Sequence, residues 1–117
     1  MELAVKIHKM TLRDLPAFEL YETGSQIRKS SKSTKSNITE GFGRRWYKKD
    51  YLHFLTIALS SNDETADHLD TLFLSGSLKD KGTYNELKEL NDKLGRKLSL
   101  FISSVKKSHR TDEKKSP

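Results

Sequence analysis

The sequence has 117 residues and a net charge of +6, and 33% of its residues are hydrophobic. A chain of this length is expected to form one domain, because neither half could bury a useful core alone. No cysteine is present, which excludes disulfides and thiolate metal sites and predicts a reducing, cytoplasmic location. No apolar run reaches about 18 residues, so the sequence predicts no membrane-spanning segment.

The first two predicted helices lie on either side of Pro16. Leu3, Ile7 and Met10 have the spacing of one face of a short first helix. Proline is accepted in the first turn of a helix, so Pro16 predicts that a second helix begins at Ala17.

The second predicted helix ends near Gly41 and Gly43, and its middle is very polar. Residues 30–37 hold almost no apolar side chain, and serine and threonine are mediocre helix formers. A loop over residues 30–37 is therefore the competing interpretation. The apolar residues that this segment offers to a core are Phe18, Tyr21, Ile27, Ile38 and Phe42.

Two longer helices are predicted from Lys48 to Ser75 and from Asp80 to Ser108, because their apolar residues recur at steps of three and four. Gly76 is expected to end the first of them, since glycine tolerates the left-handed conformation of a helix end. The stripe of the third helix consists of Tyr51, Leu55, Ala58, Asn62, Thr65, Leu69 and Leu72. That of the fourth consists of Leu87, Asn91, Leu94, Leu98, Phe101 and Val105.

Four helices with short links predict an all-α fold, an antiparallel up-down four-helix bundle over residues 1–108 with a short first helix. Residues 109–117 are polar, charged and without periodicity, which predicts a disordered tail. So low an apolar content favours burial of further surface between subunits, so we expect a homo-oligomer.

The positive charge is concentrated in one segment. Between Gly24 and Lys49, eight basic residues accompany one acidic residue, and the rest of the chain is close to neutral. Cations bind phosphates, and exposed aromatic rings stack on unpaired bases. The segment therefore predicts contact with RNA or DNA, with a solvated or protein-binding surface as the alternative. The residues of this candidate site are Arg28, Lys32, Lys35, Arg44, Arg45, Trp46, Lys48 and Lys49.

No catalytic motif is present: the sequence has no phosphate-binding glycine loop, nucleophile elbow or His-Glu-x-x-His element. The best metal candidate is the group Asp63, Glu64, Asp67 and His68. Carboxylate sites in bundles, however, need Glu and His three residues apart on two helices, and this spacing is missing. We expect a protein that is not an enzyme, with no catalytic residue, metal or cofactor.

Glu40 is the only acidic residue within the basic segment. A carboxylate near the end of a helix is unfavourable for the helix dipole, so a structural partner is expected. Arg44 lies four residues further on, at the spacing of an ion pair on one helix face, and an arginine of another helix or subunit is the alternative partner.

Four elements of the sequence carry a resemblance to a known family. They are Leu15-Pro16-x-x-Glu19, Gln26-x-Arg28, Ser33-x-x-x-Asn37-Ile38-x-Glu40-Gly41-x-Gly43-Arg44 and Phe54-Leu55-x-x-Ala58-x-Ser60-x-x-x-Glu64. In this respect the chain resembles, over about residues 3–106, the four-helix-bundle proteins encoded in intervening sequences of bacterial 23S ribosomal RNA. It departs from them at Ser30, Ser31 and Thr39, where small apolar residues are more usual.

The resemblance implies a homopentamer of four-helix protomers, with RNA binding as the suggested role. A similar bundle is the accessory protein of diversity-generating retroelements, which partners a reverse transcriptase and nucleic acid, so a protein-interaction or assembly module is the alternative function. The resemblance also implies a polar network between helices or subunits, in which Arg28 or Arg44 pairs with Glu64. A ligand site lined by the same residues is the other interpretation. The network residues are Gln26, Asn37, Glu40, Ser60 and Glu64.

Overall fold

The structure, a computed structural model, describes residues 2–108 and confirms an all-α four-helix bundle. Its helices are α1 (Glu2–Arg13), α2 (Thr23–Gly43), α3 (Lys48–Leu74) and α4 (Lys81–Ser108), and a 3₁₀ turn (Ala17–Leu20) lies between α1 and α2. Consecutive helices run antiparallel, and α1 also packs on α4, which closes the bundle. No helix in this part of the chain has both the length and the apolar character needed to cross a membrane. The predicted tail, residues 109–117, lies outside the described residues.

The prediction that the second helix begins at Ala17 is wrong. Pro16 has an extended backbone and precedes the single 3₁₀ turn, and α2 begins only at Thr23. As a result, Phe18 and Tyr21 are 60% and 85% exposed and contribute little to the core.

Glu19 holds this turn against the rest of the bundle, and it is 4% exposed. Its Oε1 atom accepts a hydrogen bond of 3.1 Å from the backbone N–H of Gly24, in the first turn of α2. Its Oε2 atom accepts one of 2.6 Å from the Ser77 hydroxyl, in the α3–α4 link. Gly24 leaves room for this approach, because a Cβ there would meet the Glu19 carbonyl oxygen at 2.3 Å. Glu19 therefore ties the start of α2 to the α3–α4 link.

The polar middle of α2 is helical, and the alternative of a loop over residues 30–37 is wrong. Ser30, Ser31 and Thr34 are buried, and hydroxyl pairs connect α2 to α3. The Ser30 and Thr65 hydroxyl oxygens lie 2.7 Å apart. These small side chains allow the two helices to pack closely and still satisfy their polar groups.

The stripe predicted for α3 is confirmed, since all seven of its residues are buried. In α4 the stripe is also buried, except that Leu94 is half-buried and Phe101 is 45% exposed. The link after α3 contains Gly76 at a φ of +86°, the left-handed conformation expected there. Phe42, offered to the core by the sequence, is 57% exposed.

The core consists of two apolar clusters with a polar layer between them. The first contains Leu3, Ile7, Met10, Ile27, Leu69, Leu72, Leu78 and Leu87. The second contains Tyr51, Leu55, Ala58, Leu98, Ile102 and Val105, and α1 contributes no residue to it. In the layer between them, the Asn62 and Asn91 side-chain amides each donate a hydrogen bond of 3.0 Å to the other's backbone carbonyl. Both Oδ1 atoms are buried and have no partner among residues 2–108.

Candidate nucleic-acid interface

Three of the predicted basic residues lie along one flank of α2. Arg28, Lys32 and Lys35 follow at steps of four and three, which places them on one helix face. This flank faces α1, because Arg28 contacts Thr11 and both lysines line the groove between α1 and α2. The structure therefore brings these three positions together, as the spacing predicted.

The groove between α1 and α2 has a volume of about 620 Å³. Its lining contains three lysines and no acidic residue, which makes the local charge strongly positive. None of the three lysines has an ion pair within the described chain. The lining residues are Ala4, Val5, His8, Lys9, Lys32, Lys35, Ser36 and Thr39.

The α1 side of this groove was missed by the sequence analysis. Lys9 adds a third cation, and His8 presents a half-buried ring whose Nδ1 atom is buried without a hydrogen-bond partner in the described region. Leu3, Ile7 and Met10 mark the core face of α1, so a helical wheel places His8 and Lys9 away from it. The helical wheel alone, however, does not indicate which neighbouring helix His8 and Lys9 face.

Arg28 differs from Lys32 and Lys35 because its side chain also makes structural hydrogen bonds. Its Nη1 donates to the Thr11 hydroxyl at 3.0 Å, and its Nη2 donates to the Leu20 carbonyl at 2.7 Å. Neither acceptor carries a charge, so these bonds leave the positive charge of Arg28 on the surface. Arg28 thus fastens the segment before α2 while still contributing to the field of the groove.

Arg44 lies at the other end of α2 and is engaged by carboxylates. Its Nε donates to Glu40 at 3.0 Å, which confirms the predicted pair, and its Nη1 lies 3.5 Å from Asp50. The hydrogen bond from Arg44 to Glu40 is the main cause of its raised pKa. Arg44 is therefore a poor candidate for a phosphate contact.

The remaining predicted residues cluster at the α2–α3 junction. The Arg45 guanidinium lies 4.2 Å from the centre of the Phe42 ring and 5.2 Å from that of Trp46, which is 49% exposed. Lys48 donates to the Lys106 carbonyl at 2.9 Å, near the end of α4. Lys49 is exposed and has no ion pair in residues 2–108. The junction lies about 12 Å beyond Lys35 along the α2 axis, so the basic segment divides into two regions.

The predicted partner of Glu64 is absent within one chain. Arg28 and Arg44 bond elsewhere, and Glu64 has no ion pair in the described part of the protein. Glu64 instead shares a groove of about 350 Å³ between α2 and α3 with Gln26 and His68.

Ser60 does not take part in a contact between α2 and α3 within the chain. It is exposed, and its neighbour Ser61 makes the contact to α2, with the Ser61 and Ser33 hydroxyl oxygens 2.8 Å apart. Consecutive side chains lie about 100° apart around a helix, so Ser61 can face α2 while Ser60 faces solvent. Asn37 donates to the Ser33 carbonyl and hydroxyl, so it does belong to this cluster.

The acidic run of α3 does not form a metal-binding cluster. Among residues 2–108, no group of three or more His, Asp or Glu side chains is placed to hold a metal ion. Asp63, Glu64 and Asp67 are exposed side chains without ion pairs in this region.

Comparison with known proteins identifies the family. A comparison with curated proteins found no match to this sequence. The sequence model of the 23S rRNA-intervening sequence protein family matches residues 1–100, which cover α1 to α3 and most of α4. Since the match extends over most of the chain, and the fold is the helical bundle that the resemblance implied, the chain belongs to the 23S rRNA-intervening sequence protein family.

Proposed function

We propose that this protein is a non-enzymatic RNA-binding bundle that contacts RNA through the α1–α2 face. The observation that carries the proposal is the cluster of Lys9, Lys32 and Lys35 around one groove, with Arg28 beside them. None of the three lysines is neutralised by an acidic side chain in residues 2–108. Such a cluster releases counterions when it meets phosphates, and this release drives binding.

The second basic region, at the α2–α3 junction, has a smaller part in the proposal. Arg45 and Lys49 provide charge there, and Trp46 provides an aromatic surface. Arg44 is paired with Glu40 and Asp50, and Lys48 is bonded to α4, so fewer cations are available than the sequence suggests. We expect this region to extend the contact of a long RNA.

RNA is favoured over DNA by the family to which the chain belongs, whose name refers to sequences within 23S rRNA. The absence of cysteine fits a reducing compartment, so the proposal includes a cytoplasmic location.

Fluorescence anisotropy with labelled RNA at two salt concentrations tests this function. We expect the Lys32→Glu/Lys35→Glu variant to lose most of the affinity, and the affinity of the unchanged protein to fall steeply with salt. The matched control is Lys93→Glu/Lys97→Glu, which makes the same charge change on α4 at two residues outside the α1–α2 groove. Equal losses in both variants, or no RNA binding near physiological salt, would overturn the proposal.

Assembly is the second candidate function, because the charges of the molecule are segregated. The exposed carboxylates Asp63, Glu64 and Asp67 have no ion pairs in the described chain, and they complement the basic α1–α2 face. We propose that the protein forms a homo-oligomer, for which the family resemblance suggests a pentamer, through such charge pairing. The same basic face could instead receive an acidic protein partner.

Light scattering coupled to size exclusion, at low and high salt, measures the subunit number directly. A monomer at low salt excludes the assembly proposal. An oligomer that cannot bind RNA leaves assembly as the function of the basic face.

A further inference from the structure

We infer that the α1–α2 groove receives one unpaired nucleotide of single-stranded RNA, with its base in the groove and its phosphates on the surrounding lysines. This inference rests on the proposed function and names the form of RNA that the same site selects. It follows from the shape and lining of the groove.

The groove offers more than a phosphate contact requires. A phosphate can be bound by cations on a flat surface, whereas this site is a cleft of about 620 Å³ with Ala4 and Val5 in its wall. That volume falls within the range of small-molecule pockets, about 300–1,000 Å³. An apolar wall favours a planar, poorly hydrated group, and in a nucleic acid that group is a base.

The polar atoms in the lining suit the edge and the face of a base. His8 is half-buried and lines the groove. Histidine rings stack on unpaired bases in RNA-binding proteins, and hydroxyl groups read base edges and the 2′-OH. Ser36 and Thr39 bring such hydroxyl groups to the α2 side.

The cations are placed for the strand on either side of that base. Lys32 and Lys35 lie three residues apart, about 4.5 Å along α2, and Lys9 faces them from α1. A duplex keeps its bases stacked inside, so it can offer these lysines phosphates but cannot fill the groove. Single-stranded or bulged RNA should therefore bind more tightly than a duplex of the same sequence.

A groove-filling substitution separates the two modes of binding. Thr39→Phe places a large side chain in the groove without changing the charge, and Val5→Phe does so from the α1 side. Thr56→Phe is the matched control, because Thr56 is also an exposed threonine within a helix but lies on α3. Circular dichroism verifies that each variant is folded.

Anisotropy titrations would compare a single-stranded RNA, its duplex and the corresponding mononucleotides. We expect each groove-filling variant to weaken single-strand binding by about tenfold, the scale of one lost base contact, and to leave duplex binding unchanged. Thr56→Phe should change neither. Equal affinity for single strand and duplex, with no effect of filling the groove, would overturn the inference and leave the proposed RNA-binding function intact.

Two further outcomes are decisive. If the unchanged protein binds no RNA, the proposed function and the inference are both overturned. Mononucleotide binding as tight as that of the strand would overturn the assignment to a strand, because the flanking phosphates would then contribute nothing.

Photocross-linking with single-stranded RNA that contains 4-thiouridine locates the base. We expect the adducts on residues 4–9 of α1 and 32–39 of α2, which line the groove. Adducts confined to the α2–α3 junction would place the base beside Trp46 and contradict the inference.

Discussion

At the scale of single residues, Glu19 connects the start of α2 to the Ser77 hydroxyl, which lies 58 residues after Glu19 in the chain. Its carboxyl group accepts hydrogen bonds from the first turn of α2 and from the link before α4. No periodicity marks this position, since it belongs to a 3₁₀ turn and its neighbours Phe18 and Leu20 are exposed. The sequence identified Glu19 only as part of the family resemblance, without a role.

Glu19→Ala should lower the free energy of unfolding by about 2–4 kcal/mol, because it leaves the Ser77 hydroxyl and the Gly24 N–H buried without partners. Glu19→Gln should cost less, since the amide oxygen still accepts one of these bonds. Urea unfolding followed by circular dichroism measures both. Equal losses in the two variants would show that packing, rather than hydrogen bonding, holds the turn.

Asp70 is one of the residues that should give stability a dependence on pH. Burial acts to raise the pKa of this carboxyl group, but hydrogen bonds from Lys88 and Tyr84 outweigh burial, so the pKa lies below its usual value. A lowered pKa means that the stabilisation is complete above about pH 4 and is lost as the pH falls through the pKa of the folded protein. The same hydrogen bond raises the pKa of Lys88, so its contribution persists until alkaline pH.

Asp70→Asn should therefore reduce stability at neutral pH by about 0.5 kcal/mol, a small value because the pair is partly exposed. The difference from the unchanged protein should shrink as the pH falls below about 4. Urea titrations at neutral and acidic pH test this. A difference that stays constant over that range would mean that the charge of Asp70 does not contribute.

At the scale of the elements, α2 is the helix whose sequence is least typical of a helix. Residues 30–37 are poor in helix formers, and intrinsic propensity alone left a loop open. Packing against α3 favours the helix over the loop, because serine hydroxyls of α2 pair with hydroxyls of α3. Helical periodicity was sufficient to predict α3 and α4. The helical state of residues 30–37 in α2 depends on hydroxyl groups of α3, which the sequence of α2 alone does not show.

The Ser30–Thr65 pair should behave as one unit in a double-mutant cycle. Thr65 donates to the Ser61 carbonyl and can accept from Ser30, so the two hydroxyls form a chain. Ser30→Ala and Thr65→Val should each lower the free energy of unfolding by about 1 kcal/mol. The double variant should lose less than the sum, with a coupling of about 0.5 kcal/mol or more. Strict additivity would indicate that the hydroxyls do not interact.

At the scale of the whole molecule, the sequence was sufficient for the fold class, the topology and the family. It was not sufficient for the site, because a stripe of basic residues on α2 does not reveal which helix lies beside it. Lys9 and His8 complete the groove from α1, 20 or more positions away in the chain. The missing intrachain partner of Glu64 has the same origin, since the register between helices depends on the packing of both, and a pairing between subunits stays a prediction.

The polar layer between the two apolar clusters should cost stability. Asn62 and Asn91 each bury an Oδ1 atom that lacks a partner in the described residues. Replacing both by leucine removes two unpaired carbonyl groups and joins the clusters, so we expect a gain of about 1 kcal/mol in the free energy of unfolding. Thermal and urea unfolding measure it. A loss of stability would show that the carbonyl groups have partners in solution, such as bound water.

The reciprocal bonds of Asn62 and Asn91 also bring α3 and α4 close together at this level. Gly95 permits the approach, because a Cβ there would lie 2.9 Å from the Nδ2 atom of Asn62. A displacement of α3 along α4 by one turn, about 5.4 Å, would preserve the apolar spacing of both helices. It would, however, put Asn91 or Ser99 in the place of Gly95, and the Cβ atom of either residue would collide with the Asn62 amide. Asn62 and Gly95 thus select one alignment among several that the apolar stripes alone would permit.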